Sequence, residues 1–231
     1  MNTPDFIWKG KDALIDMGCI IENELPEILP NQHYETKKIL GRHGEIHETH
    51  GDYQSYDYPI KGITIPYDRL REVKVWLRGH DKLITHNDID KYRDAICAID
   101  KETSFESEWG VFYKFDVTFR CQPFMRKIRE VPINFDGPIE FFDFGDEVAS
   151  PYLEIASDGG DIILQIQNRK IILLNTSNGL IKINTEYGIA IQNDVPLFTK
   201  GDWIRIHPGR NLLLTGGNII SGKLWNRSVW L

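Results

Sequence analysis

Cysteine is scarce in this chain. Cys19, Cys97 and Cys121 are the only three in 231 residues. They are too few, too widely spaced and odd in number for a disulfide framework, and none stands in a C-x-x-C pair. The spacing predicts three reduced, at least partly buried thiols in a chain assembled in a reducing cytoplasm. Long apolar runs are also missing, since none approaches the ~18 residues that a membrane span needs. The opening Met1-Asn2-Thr3-Pro4-Asp5 shows no basic stretch followed by an apolar one, so no secretory signal is expected. There is no concentrated basic face. The 27 Lys and Arg are scattered among 34 Asp and Glu, and a formal charge of −7 argues against sequence-specific reading of nucleic acid. An acidic protein can still stand beside DNA that slides past it. No Gly-rich phosphate loop precedes a helix, and no serine sits in a nucleophile elbow. No internal repeat or low-complexity tract occurs.

What is present describes an ordinary folded protein: 41% hydrophobic and 26% charged residues exclude extensive disorder. The length exceeds a usual single domain of roughly 100–200 residues, so two domains are expected. The most regular segment is 111–121, where Val111, Tyr113, Phe115, Val117, Phe119 and Cys121 alternate with polar residues from Lys114 onward. Period 2 predicts a strand with one face on a core. Residues 91–103 read similarly, with Ala95, Cys97 and Ile99 on one face, while the apolar Ile96 and Ala98 leave the other face open to either assignment. Segment 66–79 departs from this pattern. Leu70, Val73, Trp76 and Leu77 form a helical stripe, Pro66 and Asp68 suit a helix start, and Arg78 and Gly79 suit its end. One short helix of about three turns is predicted.

Between Pro26 and Gly62 the chain is aromatic and polar, with turn signals at Gly41, Gly44 and Gly51-Asp52. Residues 33–40 and 53–65 are expected to form the two sides of a long hairpin. Its tyrosines, Tyr34, Tyr53, Tyr56 and Tyr58, cannot all be buried in a core of this size. A projecting arm that buries them against a neighbouring subunit accounts for them, because tyrosine supplies contact area at low entropic cost. Segment 131–138 is turn-rich and divides the chain into domains 1–130 and 131–231. Beyond it come short strand-like runs at 152–156, 161–167, 170–174, 180–184, 188–192, 203–207, 211–214 and 224–230, broken by turns such as Asp158-Gly159-Gly160 and Ser177-Asn178-Gly179. Such spacing predicts a jelly-roll sandwich. The fold class is therefore mainly β, with two sandwich-type domains.

Candidate chemistry is thin. His43, His47 and His50 have a metal-like spacing only on a helix, and the neighbouring glycines place them in a loop. Asp158-Gly159-Gly160-Asp161 presents two carboxylates that could face a calcium ion, yet it is also ordinary turn chemistry. Asp143, Asp146 and Glu147 lack the facing geometry of a glycosidase pair. Trp203, Trp225 and Trp230 could stack on a sugar, but aromatics at strand positions are more often core. The expectation is no catalytic residue, no metal and no cofactor.

The order of motifs carries more than any one of them. Gly18-Cys19-Ile20-Ile21, Leu25-Pro26-Glu27-Ile28-Leu29-Pro30, Gly41-Arg42-His43-Gly44 and Gly51-Asp52-Tyr53 come first. The helix from Leu70 to Gly79, Asp88-Ile89-Asp90-Lys91-Tyr92, and the strand from Phe115 to Phe124 follow. In this order the chain resembles the distal tail proteins of siphophages and of prophages in Gram-positive bacteria. The stretch from Phe144 to Ile155 and the turn Pro208-Gly209-Arg210-Asn211 look like the entry and a turn of that family's galectin-like domain. One departure is Tyr92-Arg93, where the family commonly has Tyr-Tyr. The resemblance implies a virion structural protein at the tail tip: a homohexameric ring built by the N-terminal domains, with galectin-like domains at its periphery. DNA and the tape-measure protein would pass through the channel. The ring would join the tail tube protein to the baseplate or a tail-associated adhesin. Tyr34, Gly41, Arg42, Gly44, Tyr53, Tyr56 and Tyr58 are then candidate contacts between subunits. The rival expectation is a carbohydrate-binding module that contacts the host wall through the C-terminal sandwich.

Overall fold

The structure, a computed structural model, describes residues 3–97 and 102–231. Ala98 and Ile99, assigned from sequence to the strand after Lys91, lie outside the described residues, as do Met1 and Asn2. Contacts divide the chain into two compact units, Met1–Met125 with Leu231, and Arg126–Trp230. The division falls before the turn-rich segment at 131–138. Lys127 lies over the Trp230 ring and Glu130 accepts the Arg227 amide, both within the second unit. No helix among the described residues is long and apolar enough to cross a membrane.

The first unit is built from β1 (Phe6–Trp8), β2 (Lys11–Asp12), β3 (Ile20–Ile21), β4 (Gln32–Lys37), β5 (Ile46–Tyr53), β6 (Tyr56–Pro66), α1 (Leu70–Trp76), β7 (Gly79–Thr85), β8 (Lys91–Cys97), β9 (Glu106–Glu108) and β10 (Phe112–Lys127). Eight of these strands form one sheet in the order β2-β1-β7-β8-β10-β6-β3, with β9 on β10, while β4 and β5 pair only with each other. The period-2 reading of β10 holds: Phe115, Val117, Phe119 and Cys121 are buried. So are Val73, Trp76 and Leu77 of the helical stripe, with Leu70 packed against the same core. The helix begins as a single 3-10 turn, Tyr67–Arg69, after Pro66. It is clasped to β1 by a reciprocal pair of bonds. The Trp8 indole donates to the Trp76 carbonyl at 3.1 Å and the Trp76 indole to the Trp8 carbonyl at 2.8 Å. Both indoles are thereby buried without an unpaired N–H. Phe6 stacks on Trp76, and Phe119 meets both Phe6 and Trp8.

The second unit contains β11 (Ile133–Phe135), β12 (Ile139–Asp143), β13 (Tyr152–Ile166), β14 (Arg169–Asn184), β15 (Ile189–Gln192), β16 (Val195–Pro196), β17 (Thr199–Gly201), β18 (Gly209–Gly216) and β19 (Ile219–Trp225). The turn signals at Asp158-Gly159-Gly160 and Ser177-Asn178-Gly179 predict breaks in β13 and β14. Both strands instead run on through those positions, and Ser157 and Asp158 pair with Gly179 and Asn178. The glycines bend the hairpin where turns were expected to end it. The first half of β13 pairs with β19 and its second half with β18. Likewise β14 pairs first with β17 and then with β15. One long hairpin thus runs through both layers of the sandwich, and its inward residues, from Leu153 to Ile183, line the core. The run at 203–207 is not a strand; Ile206 makes only an isolated bridge to Ala149.

The two units share a device. Between Phe115 and Val117 the register with β6 gains a residue at Gly62, whose φ is +70°. The Gly62 amide, freed from the ladder, donates to Asp116 Oδ1 at 2.8 Å. Between Gly160 and Ile162 the register with β14 slips in the same way. There the amide of Asn175, at φ +51°, donates to Asp161 Oδ1 at 2.8 Å. In each case an aspartate on the regular strand satisfies the bulged amide opposite.

The three cysteines are free and buried, and burial pushes each thiol up to about 12. A thiol reagent should count three groups in denaturant and react slowly with the native protein near neutral pH; a count of one would mean a disulfide. Burial also pushes the Asp5 carboxyl up to about 6, with Asp12 adding to the rise and the Phe6 amide bond opposing it. The native state therefore binds this proton more tightly than the unfolded chain does. The group's contribution to stability is full below about 4 and is lost as pH rises through about 6. Asp5→Asn keeps the oxygen that accepts the Phe6 and Leu14 amides. It should raise the melting temperature at pH 7 to 8 and flatten the pH dependence between about 4 and 6.

Candidate assembly surface

The hairpin arm consists of β4 and β5. Its return strand is Ile46–Tyr53, not the expected 53–65, because β6 turns back into the main sheet with Tyr58, Ile60, Ile63 and Ile65 buried. The alternation along β6 places those side chains in the core, which leaves the shorter segment to close the arm. Nothing in β4 or β5 is buried. An isolated two-stranded hairpin is marginal in water, so this one relies on cross-strand polar pairs. Lys37 meets Glu48 at 2.5 Å, Lys38 meets Glu45 at 3.2 Å, and His33 meets Asp52 at 3.2 Å. Lys37 holds the Glu48 carboxyl below its ordinary range. Ile39 and Leu40 stand exposed at the tip.

The seven candidate contact residues fall into three groups. Gly41 and Gly44 adopt φ +84° and +83°, with open space where a side chain would stand, and Arg42 between them is exposed. Tyr34 is 54% exposed, with its hydroxyl donating to Gln32. Tyr53 and Tyr56 are half-buried. The Tyr53 ring meets Phe124 edge-on at 5.2 Å, and its hydroxyl accepts from Gln32. Tyr58 is a correction, because it is wholly buried in the core of its own unit and presents nothing to a neighbour.

Tyr56 and Tyr58 instead surround Arg93, which the sequence marks only as a departure from the Tyr-Tyr pattern. Arg93 is 2% exposed. Its Nε donates to the Tyr56 hydroxyl at 3.1 Å and its Nη1 to Thr85 Oγ1 at 3.0 Å. Its Nη2 lies 3.6 Å from Asp88, and the guanidinium covers the Tyr58 ring at 5.0 Å. Burial pushes the Tyr56 hydroxyl up, with Arg93 opposing the shift. The available signal was its place in β8, since Arg93, Ala95 and Cys97 are the three positions that face the core. Arg93 is also where the chain departs from the Tyr-Tyr pattern.

The other candidates serve their own strands. His43 is at the arm's tip, while His47 and His50 lie on β5 as exposed residues. Asp158 accepts from the Asn178 amide group, and Asp161 accepts the bulged amide of Asn175. Asp143 is buried, accepting from Gly145, Asn226 and Ser228. Trp203 packs against the core, the Trp230 indole donates to the Phe144 carbonyl, and Trp225 leans on Tyr152, whose ring the Arg227 guanidinium already covers.

Arg93→Ala should cost ~3 kcal/mol of folding stability, because it leaves the Tyr56 and Thr85 hydroxyls without their donor and empties a buried site, while Asp88 keeps Lys91 at 3.2 Å. Urea denaturation at neutral pH measures this, and Arg93→Lys should recover little of it, since the planar fork makes the bonds.

No family model matches this chain, and no curated protein matches it. Its fold is similar to the solved structure of the SPP1 Dit protein, described as a paradigm of the hub adsorption apparatus in phages that infect Gram-positive bacteria. The two share 13% sequence identity at a TM-score of 0.74, over 97% of this chain and 98% of that one. From end to end, this chain has the fold of a phage adsorption hub protein.

Proposed function

We propose that this chain is a structural distal tail protein, a component of the adsorption apparatus at the tip of a long phage tail. The observation that carries the reading is the fold likeness over 97% of the chain, a span that includes both units. The order of motifs in the first 125 residues supports it independently of the fold. In this reading residues 1–130 carry ring formation, and six copies close around a channel for DNA and the tape-measure protein. Residues 131–231 form a galectin-like sandwich at the periphery. The ring joins the tail tube protein to the baseplate or adhesin. Its role is assembly, not catalysis.

The arm supplies a physical reason for assembly. A hairpin that buries no side chain of its own, with Tyr34, Ile39 and Leu40 exposed, gains most when a neighbouring copy covers it. A formal charge of −7 per copy keeps a ring of such chains from trapping a polyanion.

Negative-stain imaging and light scattering of the purified protein test this. Rings are expected; a monomer at every concentration tried would refute the reading. Deleting residues 41–51, or replacing Tyr34 by alanine, should weaken assembly while leaving the melting temperature nearly unchanged. Tyr58→Ala should lower stability instead, by ~3 kcal/mol or more, because it empties a core site.

A further inference from the structure

The arm returns to the main sheet through Gln54 and Ser55, which lie between the end of β5 and the start of β6. A link that short is a hinge unless something holds it. At its foot the Gln54 amide donates to the Asn31 carbonyl at 2.9 Å and ties the outgoing chain to the returning one. That bond closes the hairpin but does not aim it. Aim has to come from side chains that grip the first residues of β6.

Two arginines do so, from opposite faces of the sheet. On the core side Arg93, from β8, donates to the Tyr56 hydroxyl at 3.1 Å and covers the Tyr58 ring. On the outer side Arg120, from β10, lies directly opposite Asp57 in register. Its Nη1 donates to Asp57 Oδ1 at 3.0 Å, and its Nε reaches back to Ser55 Oγ at 3.1 Å. One guanidinium therefore spans a residue of the link and a residue of the strand. Ser55, Tyr56 and Asp57 are held in alternation, outward, inward and outward, as the pleat presents them. The Tyr53 ring, edge-on to Phe124 further along β10, sets the last residue of the arm against the same strand.

We propose that Arg120 is a positioning residue that, with Arg93, fixes the direction in which the arm leaves the sheet. The outer grip adds little strength. Arg120 and Asp57 are 41% and 47% exposed, and ion pairs so placed contribute little to folding. What two bonds from one planar group supply is orientation. An arm that buries no side chain of its own would otherwise swing about its link, and that freedom would have to be frozen when a neighbour covers it. The positioning needs only the first unit, while its use in assembly rests on the ring reading above.

Pulsed electron spin resonance on the full chain tests this, with spin labels at Glu35→Cys in the arm and Val75→Cys on α1. Both sites are exposed, and the three native thiols are buried and label slowly. Dilution with unlabelled chain removes distances between copies. The labelled parent should give a single narrow distance distribution. Arg120→Ala should broaden it about twofold, because the link regains backbone freedom. The melting temperature should stay nearly unchanged. Lys114→Ala, on the same strand and face but paired with Glu22, should leave the distribution narrow. Arg120→Lys should restore the width only in part, since an ammonium lacks the fork. A distribution in Arg120→Ala as narrow as the parent's would overturn the proposal. So would a parent distribution that is already broad, or full recovery in Arg120→Lys. Light scattering reads assembly separately, and there Arg120→Ala should assemble about tenfold more weakly. A broadened arm with unchanged assembly, or a monomeric parent with a narrow distribution, would refute the arm's part in the ring and leave the positioning standing.

Discussion

A guanidinium held at 2% exposure inside a β-sheet core has to be answered on every side, and the first unit is organised around that demand. Arg93 cannot shed its charge, so its neighbours supply a hydroxyl from β6, a hydroxyl from β7, a carboxylate at Asp88 and an aromatic face. Two of those four groups, Tyr56 and Tyr58, lie on β6 just past the base of the arm. The cation therefore pins the start of β6 to the sheet and, with it, the point at which the arm leaves. Burying a charge is weak evidence for stability, but breaking such a network is expensive, which suits a residue that sets position more than strength.

The arm and the main sheet obey the same ladder chemistry with opposite outcomes. Along β6 every second side chain is large and apolar, and the strand is drawn inward. Along β4 and β5 both faces are polar, the pairs are Lys37–Glu48, Lys38–Glu45 and His33–Asp52, and the hairpin stays outside any core. Screened surface pairs of this kind contribute little each. A segment so constituted gains its largest stabilisation from whatever covers it.

In the second unit a single long hairpin does the work of four short strands. Gly159 and Gly160, at φ +96° and +90°, let β13 turn from one layer into the other without leaving the ladder. Asp161 satisfies the bulged amide that the bend creates. The use of Asp116 opposite Gly62 in the first unit is the same solution to the same problem. The bend also decides which side chains share an outer face.

The sequence by itself determined the fold class, the short helix and its buried stripe, and the core face of β10, because periodicity and local conformational preference act over a few residues. It also carried the order of motifs on which the family resemblance rested. It could not show that Asp158-Gly159-Gly160 bends a strand and does not end it, since a glycine pair permits both and only pairing with β14 selects one. Tyr58 looked like a surface anchor because tyrosine suits either environment, and the cation that claims it lies 35 residues further on. The make-up of each outer face was invisible for the same reason. Phe142, Ile163, Ile172 and Leu212 sit on four different strands, and only the register of the folded sheet brings them side by side.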